Sequence, residues 1–135
     1  MRIEVLRLAP GQDLRQALQQ AFAGWHQGEG LEAACIVSAV GSLSRAVLRY
    51  AGEPQGTQWA EPLELLTLSG TLSPDGVHLH ASVSDARGQV RGGHLMPGCI
   101  VRTTAEVVVG LLPDWSFGRQ PDAATGYLEL VARRR

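Results

Sequence analysis

Only one stretch of this sequence carries a helical period, and that restricts the chain to folds in which strands do most of the building. Leu14, Ala17, Leu18, Ala21, Phe22 and Trp25 recur at i, i+3, i+4, i+7, i+8 and i+11, while Arg15, Gln16, Gln19 and Gln20 fall off the stripe. Such a stripe marks an amphipathic helix that buries one face. Asp13 is the expected N-cap, because its carboxylate can accept from the free N–H groups of the first turn. The Gly28-Glu29-Gly30 segment ends the element.

The other periods are those of strands. Arg2 to Leu8 alternates and is stopped by Pro10-Gly11. Leu31 to Val40 is a mostly apolar run closed by Gly41, and Ser44 to Ala51 follows at once, so a bend or hairpin is expected at Gly41-Ser42. In Pro62 to Leu72, Leu63, Leu65 and Thr67 fall on one face and Glu64, Leu66 and Leu68 on the other. Ser73-Pro74-Asp75-Gly76 reads as a turn into Val77 to Ser84, which makes a hairpin. Asp85 to Gly88 is another turn, and Cys99 to Leu112 is a long β-branched strand. Pro113 to Gly126 reads as irregular, with a last strand at Thr125 to Val131. One main helix, or one and a short second, with about seven strands predicts an α+β fold with a largely antiparallel sheet.

Composition sets the outer limits. With 135 residues, the chain is expected to form one compact domain over residues 1–135 with a core of its own. Its 44% hydrophobic and 19% charged content excludes a disordered chain. No apolar run reaches the roughly 18 residues of a membrane-spanning helix, and Met1 to Pro10 is too charged for a secretory signal. Cys35 and Cys99 sit in apolar stretches and read as buried free thiols, which implies a reducing, cytoplasmic setting. All 12 basic residues are Arg, which reads as the mark of a GC-rich bacterial genome. Against 13 acidic residues they leave a net charge of -1, without the field that gathers nucleic acid. The one dense basic run, Arg133 to Arg135, reads as a solvated tail.

The residues with chemistry to offer are histidines. Between Val77 and Val83 the apolar residues share one face of the strand, and His78 and His80 share the other with Ser82. Two residues apart on a strand, their Cα atoms lie about 6–7 Å from one another, close enough for both rings to serve one ion. His94 follows Gly92-Gly93, and a turn there would bring a third imidazole opposite the pair. Three neutral imidazoles suit zinc or another divalent transition metal and leave a coordination position open. The alternative is three ordinary polar residues on a solvated face. His26, at the helix end, stands apart and favours the helix C-terminus.

Glu106 is a carboxylate within an otherwise apolar strand. It is a candidate base or orienting group, or else simply an exposed strand residue. Ser42 and Ser44 lack the spacing of a nucleophile elbow, and no Walker loop, dinucleotide fingerprint or CxxC pair occurs. Trp25, Trp59 and Trp115 are too scattered for base stacking and read as core or interface anchors.

A wider pattern joins these pieces. Gly41-Ser42-Leu43-Ser44 with Arg45, the Glu64 to Thr71 strand, His78-Leu79-His80, Asp85-x-x-Gly88, Gly92-Gly93-His94-Leu95 and Thr104-Ala105-Glu106-Val107 occur in that order. Together this region, residues 41–107, resembles the plants and prokaryotes conserved (PPC) domain family, found in plant AT-hook proteins and as stand-alone prokaryotic proteins. The resemblance implies a compact α+β domain assembled as a homotrimer, with His78, His80 and His94 at the positions where prokaryotic members hold zinc. It implies a binding or regulatory module. The alternatives are a DNA-associated protein, by analogy with the plant members, and a zinc-dependent hydrolase or lyase. The Arg-Gly-Arg-Pro core of an AT-hook is absent from this chain.

Overall fold

The computed structural model describes residues 1–135. In chain order the elements are β1 (Arg2–Leu8), α1 (Leu14–Glu29), β2 (Ala34–Arg49), β3 (Thr57–Trp59), β4 (Leu63–Ser73), β5 (Gly76–Ser84), β6 (Val90–Leu95), β7 (Ile100–Leu111), β8 (Trp115–Pro121) and β9 (Leu128–Arg134). The α+β expectation holds, with one helix and seven strands in the main sheet. Every strand pairing in that sheet is antiparallel.

The helix forms as its stripe dictates. Leu14, Leu18 and Phe22 are buried, with Ala17 and Trp25 packed against the same core. Asp13 caps the first turn by accepting from the Gln16 N–H at 3.0 Å, and it also accepts from the Gly98 N–H at 2.7 Å. One carboxylate therefore fastens the helix start to the loop before β7. Gly30 ends the helix in the left-handed region, at φ 66°, and donates its N–H to the His26 carbonyl.

The sheet runs β1-β7-β2-β4-β5-β6, with β3 beside β2. The far end of β2 also pairs with β6, at Leu48↔Leu95 and Arg49↔His94. Strands β2, β4, β5 and β6 thus close on themselves, so β6 is not left as a free edge at that end. The core fills the space between this curved sheet and α1, with Leu43, Leu48, Leu65, Leu79 and Val83 among its most buried side chains.

Several sequence expectations need correction. No turn interrupts the chain at Gly41-Ser42: β2 is one 16-residue strand. Gly41 is there for close approach, since a Cβ on it would meet the Thr104 carbonyl oxygen at 2.4 Å and Ala105 Cα at 2.7 Å. In β4 the alternation fails because the β4–β5 register slips between Leu65 and Thr67. Leu66 keeps its outward place, 46% exposed, while the extra residue turns Thr67 outward as well and brings Leu68 into the core with Leu63 and Leu65. The segment expected to be irregular after Pro113 contains β8, and the last strand begins at Leu128 rather than Thr125. These two form a separate two-stranded hairpin sheet.

The C-terminal arginines are not a loose tail. Arg133 and Arg134 pair with Ser116 and Trp115 in that hairpin, and Arg135 donates to the Gly30 carbonyl at 3.0 Å. No helix is long and apolar enough to cross a membrane.

Candidate metal centre

The histidine cluster is built by strand register. On β5, Val77, Leu79, Ala81 and Val83 are buried, so His78, His80, Ser82 and Ser84 project from the opposite face. The expected turn at Gly92-Gly93 is absent, because both glycines lie inside β6. His94 therefore reaches the pair as the direct cross-strand neighbour of His80, not from past a bend. One row crosses four strands: Ser69 opposite His80, His80 opposite His94, and His94 opposite Arg49. The glycines serve that packing. A Cβ on Gly93 would meet the Arg49 carbonyl oxygen at 2.7 Å, and one on Gly92 would meet the Ala81 carbonyl oxygen at 3.2 Å.

The three rings converge. Their centroids lie 5.1 Å apart for His78–His80, 5.1 Å for His78–His94 and 5.5 Å for His80–His94. One ligand nitrogen from each lies within 4.8 Å of the other two. Tetrahedral zinc with bonds of ~2.0–2.1 Å needs nitrogens ~3.4 Å apart, so rotation of each ring by less than about 1 Å at the nitrogen suffices. The histidine that does hydrogen-bond to protein is His26, whose Nδ1 lies 2.7 Å from the Leu31 carbonyl. The three clustered imidazoles are left for another partner, so the donor set fits a divalent transition metal.

At His78 and His94 the surroundings favour the neutral ring, the form that ligates metal. Burial, followed by the neighbouring His78, Arg49 and His80, pushes His94 down to about 4. Burial and then Arg119 and His80 lower His78, with Glu129 acting in the opposite sense. Arg119 and Glu129 come from the β8–β9 hairpin, which lies over the cluster. With Thr71, His78, His80 and Leu130 they line an open cleft of about 310 Å³. Arg49 borders the cluster from the other side, beside His78 and His94.

The three histidines are legible in the sequence as one site; the place of these three charged residues beside them is not. Arg49 becomes recognisable only once β2 is known to pair with β6, and Arg119 and Glu129 lie on strands that carry little alternation. Glu106 falls elsewhere: it is exposed on β7 between Arg7 of β1 and Val40 of β2, and the clefts bordered by the histidines are lined without it. Ser42 is buried and shares a 2.6 Å hydrogen bond with Thr103, a structural contact inside the sheet.

Comparison with known proteins follows the same outline. The chain is 54% identical over 130 residues to a Synechococcus protein named bifunctional protein GlmU, and that match takes in 96% of this chain. The chain spans only about 20% of the length of that relative. Among solved structures, a Salmonella cholerae-suis protein is 47% identical with a TM-score of 0.92, covering 99% of this chain and 94% of the other. A metal-containing protein of Archaeoglobus fulgidus is 29% identical with a TM-score of 0.75, covering 97% and 94%. Residues 1–113 match the model of the Plants and Prokaryotes Conserved (PCC) domain. That match takes in the capped helix and every strand that carries a clustered histidine, so the chain belongs to the plants and prokaryotes conserved domain family.

Proposed function

We propose that this protein is a self-associating binding module in which His78, His80 and His94 hold one divalent transition metal, zinc in the first instance, with a coordination position left for a ligand. The observation that carries the reading is the convergence of the three ligand nitrogens within 4.8 Å of one another. The likeness to a metal-containing Archaeoglobus protein supports it. Zinc bound there supplies Lewis acidity toward an oxygen of whatever occupies the open position. The chain's own contribution is positional: β5 and β6 fix the three rings, and Arg49, Arg119 and Glu129 set the charge around them.

Self-association as a homotrimer is supported by the sheet face turned away from the core. Ile3, Val5, Val37, Val40 and Leu66 are all exposed there, Val5 to 67% and Val40 to 56%. Apolar side chains gathered on one face favour burial against further copies, and cyclic closure leaves none of them open. The DNA-associated reading rests on family analogy, and the one dense basic run, Arg133 to Arg135, is held by the β8–β9 pairing and the Gly30 carbonyl. The hydrolase or lyase reading loses its candidate base in Glu106, which stands away from the cluster.

Zinc titration of metal-free protein tests the site. We expect one equivalent bound per chain in the wild type and a loss of at least about a hundredfold in affinity for His78→Ala/His80→Ala. Equal weak binding by both proteins would refute the site. Sedimentation equilibrium tests the assembly: a trimer is expected, shifted toward monomer by Val5→Asp/Val40→Asp, and a wild-type protein that stays monomeric at high concentration would refute it.

A further inference from the structure

The charged residues around the histidines are not balanced as a structural ion-pair network would be. Arg2, Arg91 and Arg135 each lie within 4.0 Å of a carboxylate, whereas Arg49 and Arg119 have no such partner. Their side-chain contacts are weak: Arg119 donates to Thr71 Oγ1 at 3.4 Å and Arg49 to the Glu53 carbonyl at 3.4 Å. Both are half-buried and both border the clefts that contain His78. A guanidinium held beside three clustered imidazoles, with most of its donors unspent, is suited to a planar oxyanion.

The same cleft holds an acceptor. Glu129, opposite Gln120 in the hairpin, lines the same clefts as His78 and Arg119 from β9. A carboxylate accepts and does not donate, so the group it serves on a ligand is a donor, and beside two guanidiniums a neutral hydroxyl suits better than an ammonium. Its negative charge also disfavours a multiply charged phosphate in so small a space. The one element that supplies both Arg119 and Glu129, the β8–β9 hairpin, lies beyond the segment matched by the family model, which ends at residue 113.

Resting on the metal reading above, we infer that the hairpin turns the three-histidine centre into a receptor for a small hydroxycarboxylate, its carboxylate met by Arg119 and Arg49 and its hydroxyl by Glu129. Arg119 and Arg49 are the affinity determinants, and Glu129 separates a hydroxycarboxylate from a plain carboxylate.

The test uses the full chain loaded with cobalt(II), whose visible bands report both metal uptake and a change at the open position. Lactate, acetate and inorganic phosphate are titrated separately. Lactate is expected to alter the bands saturably, and acetate to do so about tenfold more weakly for want of the hydroxyl. Arg119→Gln and Arg49→Gln keep the cobalt bands and each weaken lactate about tenfold or more, with Arg119→Lys recovering only part of the loss. Glu129→Gln brings lactate and acetate together. Cobalt bands that form normally but ignore lactate, or a response to phosphate that exceeds the response to lactate, would overturn this inference alone. Failure to take up cobalt would overturn it together with the metal reading.

Discussion

Gly93→Ala perturbs the histidine centre without touching a ligand. The added Cβ would stand 2.7 Å from the Arg49 carbonyl oxygen and 3.6 Å from Leu48 Cβ. Ordinary contact begins near 3.4 Å, so β6 must move away from β2 by about 0.7 Å. The obstacle is backbone and cannot swing aside. Overpacking of this kind costs about 1–3 kcal/mol. The displacement also carries His94, the next residue and the partner of Arg49 in the register. Metal–nitrogen distances tolerate only about ±0.2 Å, so zinc affinity is expected to fall about tenfold to a hundredfold. Gly92→Ala is the comparison, because its Cβ meets the Ala81 carbonyl oxygen at 3.2 Å and needs an adjustment of only about 0.2 Å. Urea unfolding and competition with a chromophoric zinc chelator measure both effects. If Gly93→Ala unfolds with the wild type and binds zinc within about twofold of it, the argument from strand contact is wrong. The two glycines would then be the flexible bend that the sequence alone suggests.

Three other perturbations have definite outcomes. Asp13→Ala removes a helix cap and strips the Gly98 N–H of its 2.7 Å acceptor, so a loss of about 2–4 kcal/mol is expected in urea unfolding; a loss below about 0.5 kcal/mol would contradict the dual role. Leu79→Ala, at 0% exposure between the two β5 histidines, should cost about 2–5 kcal/mol and leave the zinc stoichiometry of the folded protein unchanged; loss of zinc from the still-folded variant would show that core and site are not separable. Burial pushes the Cys99 thiol up to about 11, so the unfolded chain ionises there first. The contribution of Cys99 to stability is full below the ordinary thiol pKa and falls as pH rises from there toward 11. The stability gap between wild type and Cys99→Ala should narrow over that window, and a gap that stays constant would contradict it. Half-buried Cys35 should react first with a thiol reagent at pH 8.

The parts of the molecule legible in the sequence are those where one local period decides the outcome. The stripe from Leu14 to Trp25 with Asp13 before it can form only one kind of element, and it does. Val77 to Ser84 alternates without a break, so the outward placement of His78 and His80 follows from the pleat. The failures share a cause, which is that they depend on a neighbouring strand. Gly41, Gly92 and Gly93 read as turns because glycine permits turns, whereas here each admits a backbone that no nearby residue in sequence could announce. The bulge at Leu66 is of the same kind, since only the pairing with β5 reveals that one residue is extra. Composition and motif point to His94, but its route to the cluster, directly across from His80 within β6, depends on the β5–β6 pairing. What places Arg49, Arg119 and Glu129 beside the histidines is proximity across the closed sheet and under the hairpin, which no local pattern announces.

The most direct test of the central claim is X-ray absorption at the zinc edge on protein loaded with one equivalent of zinc. If β5 and β6 deliver three imidazoles to one ion, the spectrum will contain a nitrogen shell at about 2.0 Å with the multiple-scattering signature of three histidines, reduced to two in His94→Ala. A spectrum with fewer than two imidazoles, or one unchanged by His94→Ala, would contradict the account.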